Sequence, residues 1–444
     1  MNNNLPVAII GGGPVGLAAA AHLVQKKESF ILFELGNQVG TNFLDYHHVR
    51  LFSPWKYNID KAAKELLLKH EIPLPSENEL PLGGEIVSQY LKPLSKLPEF
   101  KPHIHLNSKV ISIGRKGLDK LKSNDREKIP FMIHVQEGSE YKMYEAKAVI
   151  DATGTWQNPN PIGSGGIHAN GEKNVENQIY YGIPDVLNKD RKRYEGKTTL
   201  VVGGGHSAIN ALLELAKLQE QNENTKLVWA LRKKKVSEAY GGKENDELPA
   251  RGELGTRIQK LIQNGKILVH TPMFIHSVQK EANHKMSILG VKDDQNYSIR
   301  EIDEIISNTG ARPNFNMLRE IRYASDPSTE SVPDLAELID PNIHSCGTVR
   351  PHGEKELRQP EDNFYIIGSK SYGRAPTFLL ATGYEQARSV VAYITGDLES
   401  AKQVQLELPE TGVCSISKSV NKESSNECCV ADLSPEKSAV GCCG

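Results

Sequence analysis

Residues 6–23 read PVAIIGGGPVGLAAAAHL: a short apolar run, three consecutive glycines, then a run of alanine and leucine. The apolar run predicts a buried strand, the glycines a tight turn and the small-residue run a helix. Gly11, Gly13 and Gly16 fall at the spacing G-x-G-x-x-G. In such a unit the first glycine permits the turn, the second lets backbone approach a pyrophosphate, and the third lets the helix lie on the strand. The free N–H groups and positive dipole end of the helix favour an anion there. Residues 29–36, SFILFELG, read as the next strand, and Glu34 at its end can accept hydrogen bonds from ribose hydroxyls.

The pattern returns at residues 198–215, TTLVVGGGHSAINALLEL, with Gly203, Gly205 and Ala208 at the three fingerprint positions and His206 and Ser207 opening the helix. Alanine is a permitted third residue. The strand that follows ends in WALRKKK (229–235), so Arg232 and Lys233 stand where an acid would otherwise meet the ribose. Basic groups there suit a 2′-phosphate and predict NADPH over NADH, the alternative being a solvated basic run. A second echo pairs AVIDATGTWQNPNP (148–161) with EIISNTGARPN (304–314), each a strand ending in Thr-Gly and a turn. After it, NFYIIGS (363–369) and the helical run from Thr377 to Ile394 read as a return of the chain to the first unit.

The expected fold class is therefore α/β, with two Rossmann-like dinucleotide-binding domains, the second inserted in the first. The expected boundaries are 1–160 for the first part of one domain, 161–195 for a linker, 196–307 for the inserted domain and 308–405 for the return. Residues 406–444 lose apolar periodicity, become rich in Ser, Glu, Lys, Asn and Cys, and read as a flexible tail.

A net charge of −2 gives no electrostatic reason to expect nucleic acid or an anionic membrane as partner. No apolar run reaches the ~18 to 20 residues of a membrane span. MNNNLPVAII lacks the basic start of a signal peptide, which places the chain in the cytoplasm as an expectation.

Five of the six cysteines lie in the tail, at Cys414, Cys428, Cys429, Cys442 and Cys443, and only Cys346 precedes them. Adjacent Cα atoms are about 3.8 Å apart, below the usual disulfide range from about 4.4 Å. The two vicinal pairs thus suit a soft, thiophilic ion better than an internal disulfide. A flexible chain spans about 5 to 6 Å times the square root of its length, so the pairs can reach roughly 30 to 35 Å. That brings them to the dinucleotide sites of their own chain or, in a homodimer, of a neighbouring subunit.

With GGGPVG, Glu34, DATGTW, VVGGGHSA and NTGARP in these places, the chain resembles the two-dinucleotide-binding-domain flavoproteins, which include thioredoxin reductases and flavin-containing monooxygenases. The resemblance implies FAD in the first domain, on Gly11, Gly13, Gly16 and Glu34, with Thr153 and Gly154 on the crossover beside it. It extends the cofactor contacts to Gly310, Gly368 and Thr377, and brings Arg50, Ser53 and Trp55 of LDYHHVRLFSPW (44–55) toward the flavin. NADPH falls to the second domain. Where the family usually carries Gly-Asp, this chain has Gly368-Ser369.

No catalytic side chain is singled out. The monooxygenase fingerprint is missed by one residue at Gly163 and His168, and His47 and His48 fit no motif. No cysteine pair precedes the tail, so dioxygen is the simplest acceptor for the reduced flavin. The Cys-rich end together with KSYGRAPTFLLATGYEQ (370–386) resembles flavin monooxygenases associated with arsenic resistance. That resemblance implies oxygenation of a trivalent metalloid (arsenite, methylarsenite or antimonite) through a flavin hydroperoxide, with tail thiols capturing the substrate. Three alternatives stay open: a reductase that uses the tail dithiols as a shuttle, a flavoprotein whose tail sequesters or senses metal, and a tail incidental to the chemistry.

Overall fold

The computed structural model describes residues 4–242, 249–343 and 352–406. Val7–Ile10 is buried at every position and hydrogen-bonded on both sides, to Phe30–Phe33 and to Ala148–Asp151, all parallel. A strand buried on both faces has no reason to alternate polar and apolar residues, hence its unbroken apolar run. The full sheet runs Phe364–Ile366, Ala148–Asp151, Val7–Ile10, Phe30–Phe33, Ile104–His105. The second sheet repeats the plan: Ile267–His270, Lys226–Ala230, Thr198–Val202, Glu304–Ser307, Ile179–Tyr181. In both sheets the strand order reverses beside the strand that leads into the glycine loop, which opens a crevice at its carboxyl end.

Helix Pro14–Gln25 follows the first loop and packs against helix Leu380–Ile394, which closes the domain after the insertion. The approach is tight: a Cβ on Gly383 would lie 2.6 Å from Val15 Cγ2. In the inserted domain, alternate strand residues serve two cores. Val201, Trp229 and Ile306 face helices His206–Gln221 and Pro249–Gln263. Leu200, Val228 and Ile305 face an antiparallel meander of Phe274–Lys280, Met286–Lys292 and Gln295–Ile302. A matching meander, Ser108–Arg115, Phe131–Glu137 and Glu140–Ala146, fills the crossover of the first domain.

One expectation is corrected. Residues 161–195, read as a linker, contribute the edge strand Ile179–Tyr181, which pairs in parallel with Glu304–Ser307. Three residues are too few to show a period, and their extended form is set by the partner strand. The tail after Leu406 and Cys346 lie outside the described residues. Among the described residues no helix is long and apolar enough to cross a membrane.

The return segment is anchored by a buried carboxylate. Glu361 accepts from Arg115 Nε at 2.8 Å, from Arg126 Nη2 at 2.9 Å and from the Arg322 N–H at 3.1 Å. Burial alone would raise its pKa, but the hydrogen bonds from Arg126 and Arg115 outweigh burial and hold the carboxyl below its ordinary value. A lowered folded pKa contributes stability above the unfolded value of about 4.3, and that contribution is lost as pH falls through the folded pKa. Glu361→Gln leaves two buried guanidinium groups without their counter-ion and is expected to cost roughly 3–5 kcal/mol near pH 7. Urea unfolding across a pH series checks this; the gap to the parent should narrow below about pH 4.

Candidate functional site

The two glycine loops solve the same steric problem with the same residues. Gly11 has φ +104°, and a Cβ there would lie 2.7 Å from the Ala152 carbonyl oxygen; Gly203 has φ +134°, and its Cβ would lie 2.2 Å from that of Asn308. Each first glycine thus lets the crossover strand end directly against the loop. Gly16 lets the helix sit on the turn, since a Cβ would meet the Gly11 oxygen at 2.0 Å. Gly13 and Gly205 differ: among the described residues, chain neighbours aside, no atom lies within 4 Å of a Cβ built on either. Both cap a helix N-terminus in extended backbone. The open space beside unpaired N–H groups is what an approaching pyrophosphate requires.

Glu34 is 8% exposed and works on the loop as well as beside it. Its Oε2 accepts the Gly12 N–H at 2.7 Å and its Oε1 the Gly36 N–H at 2.8 Å. Each carboxylate oxygen retains a lone pair that a ribose hydroxyl can use. The first loop therefore fits FAD, with the carboxylate fixing the turn that receives the phosphates.

A cleft of about 1000 Å³ lies between the domains. From the inserted domain come Gly203 to Ser207, Arg232 and Lys233, from the turn after its last strand Gly310, and from the other side Phe52, Thr155, Trp156, Ser369 and Arg374 to Pro376. Ala208 is buried in the helix behind the loop. Arg232 is exposed, with Nη1 donating to the Ser164 carbonyl at 3.0 Å. The Lys233 stem covers Gly204, its Cε 3.4 Å from where a Cβ would stand, and its ammonium reaches the Glu238 carbonyl. Arg232 and Lys233 thus both stand beside the second glycine loop, at the cleft.

On the flavin side, Gly154 has φ +69°, and a Cβ there would lie 3.3 Å from Ser369 Oγ, so serine does stand beside the crossover. Gly368 has φ +73° and donates its N–H to Gln386 Oε1 at 2.7 Å. Among the described residues Thr377 Oγ1 is buried without a hydrogen-bond partner, a group that a polar ligand atom would satisfy.

Four further candidates make contacts of their own within the first domain. Thr153 turns its hydroxyl inward, to Asp151 Oδ1 at 2.7 Å. Trp55 is 2% exposed and belongs to the core of the first domain. Arg50 donates to the Leu80 carbonyl, and the Ser53 carbonyl accepts from Asn58 Nδ2. Neither Arg50 nor Ser53 lines the cleft, whereas the intervening Phe52 does. In irregular backbone, order along the chain does not say which side a residue faces. His168 is exposed and has its Nδ1 3.4 Å from Glu172 Oε1, away from the cleft lining.

Sequence reasoning missed a buried ion pair. Lys370 Nζ lies 2.6 Å from Asp151 Oδ2 and 3.2 Å from Thr153 Oγ1, with both charged side chains at most 1% exposed. The available signal was a charge at the end of each of two apolar strands, AVID and FYIIGSK.

With this geometry in view, residues 8–347 match the family model of the pyridine nucleotide-disulphide oxidoreductases. The chain belongs to that family. A ferredoxin–NADP reductase of Streptococcus pneumoniae (strain D39) is 25% identical over 91% of this chain and 98% of its own. Among solved structures, a bacillithiol disulfide reductase from Bacillus cereus superposes with a TM-score of 0.65 at 18% identity, covering 88% of this chain and 99% of that one. An FAD-bound cadaverine monooxygenase from Erwinia amylovora gives 0.61 at 12% identity, covering 92% and 99%.

The chain has no cysteine among its described residues. Cys346, Cys414, Cys428, Cys429, Cys442 and Cys443 all lie outside them.

Two outcomes follow from the loops. Gly13→Val fills the open space and should abolish flavin retention, read from the visible absorbance of the purified protein. Arg232→Ala should raise the KM for NADPH at least tenfold while leaving that for NADH within about twofold, because only NADPH has the 2′-phosphate.

Proposed function

We propose that this FAD-dependent oxidoreductase takes hydride from NADPH and delivers the electrons to dioxygen, oxygenating a soft trivalent metalloid. FAD, when bound, supplies the hydride acceptor and the site of oxygen reduction. The chain's own residues divide the remaining work. Arg232 and Lys233 select and hold the nucleotide, and the open approach at Gly205 receives its pyrophosphate. Phe52, Trp156 and Pro376 give the cleft an apolar component that excludes water.

The observation that carries this reading is a cleft lined jointly by both domains in which no described residue supplies a thiol. A dithiol relay would have to draw on Cys346 or the tail cysteines, which lie outside the described residues. An oxygenating enzyme needs only nucleotide, flavin and a substrate with a lone pair. The reaction balances as NADPH, a proton, dioxygen and a trivalent arsenical giving NADP⁺, water and the pentavalent oxide. The five tail cysteines support a thiophilic substrate, which they would capture and pass to the cleft.

A second reading, reduction of an external iron–sulfur carrier, is favoured by the likeness to ferredoxin–NADP reductase over 91% of the chain. The two are separated by following NADPH loss and oxygen uptake against trivalent arsenical concentration, and then NADPH loss without oxygen against oxidised ferredoxin. Oxygenation is expected to show equimolar NADPH and oxygen consumption that rises with arsenical, together with a pentavalent product. Cys442→Ser with Cys443→Ser should slow the reaction at low arsenical concentration and not at saturation. Arsenical-independent oxygen uptake with fast anaerobic ferredoxin reduction would favour the carrier reading.

A further inference from the structure

Where the two domains meet beside the cleft, three side chains without a sequence motif converge. His47 and His48 follow the short helix Thr41–Asp45 of the first domain, and Asp185 follows the edge strand of the inserted domain. One donor atom from each lies within 4.8 Å of the others. We infer that His47, His48 and Asp185 form a binding site for a divalent cation of the zinc class that bridges the two domains.

The hydrogen bonds prepare these groups as ligands. His47 Nδ1 lies 3.1 Å from the Leu44 carbonyl, which can only accept, so the ring donates from Nδ1 and in its neutral form presents the lone pair of Nε2. That lone pair faces Asp185 Oδ2 at 3.6 Å. Two acceptors opposed at this distance call for something positive between them. The other Asp185 oxygen is held by Asn188 Nδ2 at 2.9 Å, which orients the carboxylate as supporting contacts orient metal ligands. Asp185 is 6% exposed in its side chain, where a bare carboxylate is costly.

His48 adds an independent observation: both of its ring nitrogens are shielded from solvent, and among the described residues neither makes a well-formed hydrogen bond, the Pro184 backbone being the nearby acceptor. A cation would satisfy one of them. Imidazole and carboxylate donors suit zinc-class ions, in contrast to the soft thiolates of the tail. Zn–N bonds of about 2.0–2.1 Å put tetrahedral ligand atoms about 3.4 Å apart, so no pair of the trio must close by more than about 1.4 Å. Three protein ligands leave a fourth position for water. The site adjoins the cleft, since the Tyr46 ring packs 4.6 Å from that of Trp156 and Gly182 also lines it.

The simplest competitor is a proton on His47, forming an imidazolium that bridges to Asp185 without a metal. The test uses the full-length FAD-loaded chain with the five tail cysteines changed to serine, so that thiols do not compete. Cobalt(II) is titrated and followed by its visible absorption, then displaced with zinc. The expected result is one equivalent bound, with affinity falling at least tenfold in His48→Ala and in Asp185→Asn at unchanged FAD content. A measurement that needs no site variant is the unfolding midpoint, which zinc should raise and a chelator should restore. Absence of saturable cobalt binding, equal binding by the parent and both variants, or a midpoint indifferent to saturating zinc would each overturn the site.

Discussion

Two backbone contacts set the geometry of everything else: Gly11 against the Ala152 carbonyl and Gly203 against that of Asn308. Each brings the end of a crossover strand to a distance no side chain permits. The turns that continue those strands then clasp each other. The Asn160 N–H donates to the Gly310 carbonyl at 2.9 Å, the Arg312 N–H to the Asn158 carbonyl at 3.0 Å, and the Thr309 hydroxyl to the Asn160 carbonyl at 2.7 Å. Arg312 Nε adds a bond to Asn160 Oδ1 at 2.9 Å. The switch points of two separate sheets are thus held face to face, and the cleft is the space between them. A residue larger than glycine at 11 or 203 would displace a crossover and with it the opposite domain.

Charge is distributed according to what each side must do. Lys370 and Asp151 are sealed from water, where an unpaired partner would be strongly destabilising, so the pair ties the return segment to the crossover beneath the flavin side. Among the described residues, Arg232 and Lys233 are bound to backbone carbonyls at the accessible rim of the cleft. The same residue type, lysine, is an internal tie at 370 and stands at the rim of the cleft at 233. Burial separates the two roles.

The junction also explains why so much chemistry gathers along one line. Domain boundaries bring together side chains from distant parts of the chain, and water is partly excluded there. Phe52 and Ser369 reach the cleft from one domain, Gly205 and Arg232 from the other. The His47, His48 and Asp185 cluster lies on the same seam, so a cation held there would act on the relation between the domains as well as on its own ligands.

The sequence by itself determined the two strand–loop–helix units, the basic ending of the second and the insertion of one domain in the other. These follow from local rules: a strand buried on both faces must be apolar, a turn against a carbonyl must be glycine, and a 2′-phosphate needs cations. Tertiary structure alone decided the rest. Ile179–Tyr181 became a strand because Glu304–Ser307 offered a free edge, and Trp55 went to the core while its neighbour Phe52 faced the cleft. Thr153 turned toward Asp151 because Lys370, more than two hundred residues away, was already there. Asp185 met His47 only because the domains close on each other. Contacts between distant segments leave no period or spacing in the chain, since their geometry is fixed only when the two domains pack.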